Sequence, residues 1–172
     1  MGGIVLMLVF SRIDYRKYEK FAWPALVVTL LMLLVVILPG TEAIAPRING
    51  ARRWLRVGIA LQPSEIAKIT LMVWTAALVI KKQDRLHSLR KGLLPFLVVW
   101  LVITIPILIQ PNFSAAMLII LLSALVLFAG GARIGHFILL GTLAVPVVWH
   151  QIQSAGYRMR RIAAFLDPTG DT

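Results

Sequence analysis

The sequence predicts an all-α protein: a polytopic transmembrane helical bundle with five full spans and an N-terminal half-span. Three observations predict it. Of 172 residues, 59% are hydrophobic and only 15% charged, and the mean hydropathy of +0.86 lies outside the range of a water-soluble domain. Long apolar runs recur at 22–39, 64–80, 93–109, 113–129 and 134–150. The basic residues gather in the gaps between those runs, as loop residues flanking spans do.

The elements follow in order. "MGGIVLMLVF" (1–10) is apolar over half the ~20 residues a spanning helix needs. It has neither the basic lead nor the cleavage site of a signal peptide, and reads as the second half of a span. The five complete runs have 17 or 18 residues each, reaching ~26 Å at ~1.5 Å per residue, enough for the hydrocarbon core. Pro24, Pro95, Pro106 and Pro146 are expected near span ends, where a missing N–H costs least. Isolated strands cannot replace these spans, because lipid leaves open edges unsatisfied. The chain stops at "FLDPTGDT" without a closing helix, so a piece of a longer protein is expected.

Orientation comes from the loops. The segments 11–20, 81–91 and 130–135 hold ten Lys and Arg, whereas 40–63, 110–112 and 151–172 hold seven. The positive-inside rule places the first set in the cytoplasm. All seven basic residues of the second set are arginines: Arg47, Arg52, Arg53, Arg56, Arg158, Arg160 and Arg161. A topology signal accepts Lys equally well, whereas a rigid fork of donors for phosphate or carboxylate needs Arg. An anion on the outer face follows. Contact with lipid head groups, or a GC-rich genome, is the plainer account of the same arginines.

The outer loop 40–63 contains "INGARRWLRVGIAL", which alternates basic with apolar residues, as a segment lying in the interface with Trp54 at head-group depth would. The span at 64–80 then opens on polar residues. Pro63 suits a first helical turn, Ser64 can cap free N–H groups, and Glu65 complements the positive helix end. Lys68 opposes that dipole and lies roughly 5 Å deeper. Near a span centre an ammonium costs up to ~3 kcal/mol. Glu65 and Lys68 are spaced i, i+3, pair on one face, and are expected to face a polar cavity. In the turn "QPNFS", Gln110, Pro111 and Asn112 offer neutral hydrogen bonds. In 157–171, three arginines leave the last span and can reach the same outer cavity as Glu65 and Lys68, so three outer loops are expected to converge on it.

Other chemistries are excluded or unsupported. With no cysteine there is no thiol nucleophile or thiolate metal site. His87, His136 and His150 have no ligand-like spacing, so no metal site and no cofactor is called for, and a divalent cation is unsupported. Ser64 and Lys68 are one residue too far apart for the S-x-x-K acyl-enzyme motif. "GGARIG" lacks the phosphate-loop pattern.

Four stretches in order, "NGARRWLRVG" (49–58), "QPSEIAK" (62–68), "QPNFSAA" (110–116) and "YRMRRIAAFLDP" (157–168), together with the span pattern, resemble the SEDS family (shape, elongation, division and sporulation) of FtsW/RodA-type peptidoglycan glycosyltransferases. The arginine-rich ending is more similar to the division branch. The resemblance implies a multi-pass enzyme of about ten spans in the bacterial cytoplasmic membrane, with its active face outside. It would polymerise lipid II in septal wall synthesis, beside a class B penicillin-binding protein transpeptidase and other division proteins. No nucleic acid is expected. It assigns Glu65 and Lys68 to a charged pair in a central cavity flanked by Arg52, Arg53 and Arg158 to Arg161. Arg56 joins the pyrophosphate-binding candidates. The chain departs from the family pattern at Asn112, Ser114 and Ala115, where Q-P-D-[LF]-G-T is common. The family's catalytic aspartate lies in a large outer loop after F-L-D-P, beyond Thr172, and Asp167 does not replace it. The catalytic residue is therefore left unassigned, and these 172 residues alone are expected to be inactive.

Two other functions compete with the transferase. A lipid II or polyprenyl-phosphate flippase also wants buried charge and basic loops, but needs anion-binding groups reachable from both sides. A non-catalytic division scaffold would tolerate replacement of Lys68 and Arg52.

Overall fold

The computed structural model describes residues 12, 14–48 and 50–153. The half-span expected at 1–10 and the arginines at 158, 160 and 161 lie outside the described residues. The described chain forms α1 (Tyr15–Ile37), a hairpin of β1 (Leu55–Val57) and β2 (Ile59–Leu61), then α2 (Pro63–Lys81), α3 (Leu94–Ile109), α4 (Phe113–Ala129) and α5 (Ile134–Gln153).

Helix α1 begins at Tyr15 rather than at 22 because Asp14 caps it, with Oδ1 accepting from the Arg16 N–H at 3.0 Å. That cap draws polar residues into the first turns and leaves Pro24 inside the helix rather than at its end. The amide that proline lacks would have met the Lys20 carbonyl, near the polar end of the span, where the loss is mild. At the other end Gly40 takes a left-handed φ of 86°. The Thr41 hydroxyl donates to the carbonyls of Val35 and Leu38, both at 2.8 Å.

Three helical stretches, Arg16–Ile37, Pro63–Lys81 and Leu89–Ile109, are long and apolar enough to cross a membrane. Phe113–Ala129, with 17 residues, sits at the short end of the spanning range, and α5 is apolar over Ile134–Pro146. Large apolar side chains such as Phe21, Val28, Val98, Leu101, Leu121 and Leu125 point out of the bundle. Hydrocarbon covers such a surface, whereas water would not tolerate it.

The loop 40–63 is a folded unit instead of a segment lying free in the interface. β1 and β2 are antiparallel, pairing Leu55 with Leu61 and Val57 with Ile59 across Gly58, whose φ of 75° permits a one-residue connection. Leu55 and Ala45 pack on Val36 of α1, with Met32 and Val35 beside them. The Arg56 N–H donates to the Ile44 carbonyl at 2.7 Å. The hairpin thereby stands over the C-terminal end of α1.

The chain divides into two units, Met1–Ala132 and Arg133–Thr172. In the first, α2 packs against α1 and α4, and α3 against α1 and α4. An edge-to-face aromatic ladder crosses three helices: Trp23 to Trp74 at 5.4 Å, Trp74 to Phe96 at 6.0 Å and Phe96 to Trp100 at 6.5 Å. The Trp100 indole N–H donates to the Thr75 hydroxyl at 3.1 Å. Away from the hairpin, Lys81 pairs with Glu19 at 3.1 Å, tying the end of α2 to the start of α1. A 3-10 turn (Gln83–Arg85) and a π turn (Leu89–Leu93) lead into α3. A side chain at Gly92 would collide with the Arg85 backbone carbonyl. In the second unit α5 contains Pro146, and the Thr142 hydroxyl bonds back to the Ile138 carbonyl at 2.9 Å.

Candidate functional site

The ends of α1 and α3, the starts of α2 and α4, and the hairpin loop meet at one end of the first unit, and most of the polar residues picked out in the sequence lie there. Arg53 connects them. Its Nε donates to the Gln110 carbonyl at 3.1 Å and its Nη2 to the Pro111 carbonyl at 2.6 Å. Carbonyls at a helix C-terminus lack intrahelical donors, and a planar guanidinium fork suits two adjacent ones. Arg53, named above as an anion holder, thus commits two of its three nitrogens to backbone and latches the loop to the α3–α4 turn. Arg53→Lys is expected to undo this latch, because an ammonium has no fork. Faster hydrogen exchange of amides in 44–61, at unchanged exchange in α2, is the measurement that checks it.

Gln110 is 3% exposed, and its Nε2 donates to the Leu33 carbonyl of α1 at 3.1 Å. A carbonyl only accepts, so this bond fixes which end of the amide is which, and Oε1 is left buried without a partner. Asn112 reaches the other way: its Nδ2 donates to the Ser64 hydroxyl at 3.3 Å, and the Gln62 Nε2 donates to the same oxygen at 3.0 Å. Ser64 was expected to cap α2. Pro63 at the first helical position makes Gln62 the N-cap residue, with no side-chain cap bond, so the buried Ser64 is free to join the two motifs instead.

Glu65 sits in the first turn of α2 and accepts from Lys68 Nζ at 2.6 Å, in the i, i+3 pairing expected. The lysine side chain is 21% exposed and the glutamate 56%, so the ammonium is the deeper half. Neither borders the cavity that opens near Arg52. That cavity, of about 250 Å³, lies between Val36 and Ile37 of α1, Arg47 and Gly50 to Arg52 of the loop, and Ile109 to Pro111. Arg52 Nη1 donates to the Leu38 carbonyl at 3.1 Å, and Nη2 stands 3.3 Å from Glu42. Arg56 is exposed on the hairpin. No group of three His, Asp or Glu side chains capable of holding a metal ion occurs among the described residues.

Two of the three loops expected to converge are therefore brought together, through side-chain to backbone bonds that sequence spacing does not reveal. The third lies outside the described residues. Glu42 carries no signal in the sequence, Gln62 enters only as the first residue of "QPSEIAK", and Arg47 only as one outer arginine. All three are single polar residues in irregular segments, without periodicity to mark them. Chemically, the end offers guanidinium and ammonium groups on a fixed frame, which suits an oxyanion carrying several charges.

Comparison with known proteins places the chain. The model of the FtsW/RodA/SpoVE cell cycle protein family matches residues 1–172. "Probable peptidoglycan glycosyltransferase FtsW" of Trichlorobacter lovleyi is 39% identical over 98% of this chain and 44% of its own length. Stage V sporulation protein E of Bacillus subtilis is 29% identical, over 98% of this chain and 46% of its own. Among solved structures, a chain of a peptidoglycan synthase complex coordinating polymerization and crosslinking superposes with a TM-score of 0.72 at 25% identity, covering 98% of this chain and 49% of that one. The rod shape determining protein RodA of Thermus thermophilus gives 0.64 at 26% identity, over 85% and 46%. The chain spans about half the length of the curated relatives it matches. With the polytopic helical fold, the match over its whole length shows that this chain belongs to the FtsW/RodA/SpoVE family of cell cycle proteins.

Proposed function

We propose that the chain belongs to a peptidoglycan glycosyltransferase that polymerises lipid II on the outer face of the cytoplasmic membrane during division. The observation that carries this reading is the gathering of Arg52, Arg53, the Gln110 to Asn112 turn and the Glu65–Lys68 pair at one end of the bundle. The lower count of Lys and Arg in its loops supports placing that end outside. The names of its relatives supply the reaction class.

In this reaction the bond from the anomeric carbon of the growing glycan to undecaprenyl pyrophosphate breaks. A bond to the C4 hydroxyl oxygen of the next disaccharide forms. Negative charge develops on the departing pyrophosphate, where fixed cations lower the barrier. Arg52 and Arg56 hold that group, with Arg53 keeping the loop in place over the turn; the family resemblance alone adds Arg158, Arg160 and Arg161 as candidates. Lys68 supplies positive charge at the same end of the bundle, and Glu65 positions it. The hydroxyl proton passes to a carboxylate base that the family resemblance places beyond Thr172. No step of this scheme uses a metal ion or another cofactor. A class B penicillin-binding protein transpeptidase is the partner that would crosslink the product.

The test is a lipid II polymerisation assay on the full native protein in nanodiscs, read as glycan chain length on a gel. Polymer supports the transferase. Transbilayer movement of fluorescent lipid II in proteoliposomes, without polymer, would establish a transporter, and neither activity would leave a scaffold.

A further inference from the structure

Arg52 is held firmly on one side and loosely on the other. Its Nη1 is bonded to the Leu38 carbonyl at the end of α1, and its side chain is 15% exposed. Nη2 is sealed from water and makes no hydrogen bond of good geometry. What stands next to it is the Glu42 carboxylate at 3.3 Å, on a side chain that is 78% exposed. One half of the ion pair is thus fixed in the wall of the cavity, and the other hangs on the solvent side, where such pairs are weak and easily broken.

The cavity beside them has the make-up of a site for an anion carried on an apolar body. Arg47 and Arg52 bring two cations to its rim, while Val36, Ile37 and Ile109 make an apolar wall. Arg47 is exposed, and no carboxylate lines the cavity among the described residues. A phosphate group carries more charge than a carboxylate and three acceptor oxygens, so it can engage both guanidinium groups where Glu42 touches one. Releasing Glu42 also returns rotamer freedom to its side chain.

We infer that Glu42 is a displaceable counter-ion that occupies Arg52 until a phosphate-bearing ligand enters the cavity between the ends of α1 and α3, and that this exchange sets how tightly the ligand is held. The inference rests on the reading that these arginines bind a phosphorylated carrier. It adds that the empty site is covered by the protein's own carboxylate, so ligand entry and the swing of Glu42 are one event. The shared ligand chemistry is a phosphate ester or diphosphate, from a lipid head group or from solution.

The probe is inorganic pyrophosphate, titrated calorimetrically into the full native protein in phosphatidylcholine nanodiscs. Removing the competing carboxylate with Glu42→Gln is expected to tighten binding about three- to fivefold, the size of a weak exposed ion pair. Arg52→Gln is expected to weaken binding, and adding Glu42→Gln to it should then change nothing. Repeating the titration with phosphatidylglycerol in the disc separates the sources. A weaker apparent affinity, larger in Glu42→Gln, identifies a lipid head group as a natural occupant, and an unchanged one identifies a soluble or specifically delivered phosphate. Equal affinity in wild type and Glu42→Gln, with Arg52→Gln still weakened, overturns the counter-ion and leaves the anion site standing. No binding by any form overturns both.

Discussion

Lys68→Ala is expected to lower lipid II polymerisation by at least about a hundredfold, the scale on which one preorganised charge or donor acts in a transition state. The substitution separates catalysis from folding unusually well. An ammonium within a span opposes insertion, so its removal favours the membrane-embedded state. The glutamate left behind is 56% exposed and lies in the first turn of α2, where water and the helix dipole both favour its charge. Loss of activity with an unchanged or raised thermal midpoint would therefore assign Lys68 to the reaction. Lys68→Arg should recover part of the activity if charge is what matters. Activity within twofold of wild type in Lys68→Ala would reduce the pair to a structural feature.

Trp74→Ala is expected to cost about 3 to 5 kcal/mol, the usual range for deleting a large core aromatic. That is a large share of the ~5 to 15 kcal/mol that holds a typical fold together. Trp74 is 2% exposed and is the middle of the ladder, touching Trp23 on α1 and Phe96 on α3, so its removal leaves a void where three helices meet. The check is thermal unfolding in a fixed detergent. Trp74→Phe is the informative companion. The Trp74 indole N–H is buried without a hydrogen-bond partner, so replacing the indole by phenyl sacrifices no bond and should cost far less than alanine. A Phe variant as unstable as the Ala variant would mean that the indole has a partner after all.

Much of this was legible from residue patterns. Apolar runs locate the helices because lipid imposes one solution on the backbone. The Glu65–Lys68 pairing follows from helical spacing alone. The hairpin in 40–63 was not legible, since three-residue strands carry too little alternation to stand out, and Gly58 reads equally well as any turn. The start of α1 was missed because hydropathy marks the lipid-facing stretch, while the helix itself runs back to the Asp14 cap. The site's connections were hidden for a related reason. Arg53 and Gln110 meet backbone oxygens far away in sequence, and any residue provides a backbone oxygen.

That choice of acceptor has an evolutionary consequence. Arg52 binds the carbonyl of Leu38, Arg53 those of Gln110 and Pro111, and Gln110 that of Leu33. Each donor depends on the path of its partner's main chain and not on the partner's side chain. Across homologous sequences, positions 52, 53 and 110 should therefore hold constant while 33 and 38 drift among apolar residues. Paired substitutions should be absent between donor and acceptor positions that touch directly. A search for coevolving pairs would overlook these contacts, although they hold the loop, the turn and two helix ends in a single frame.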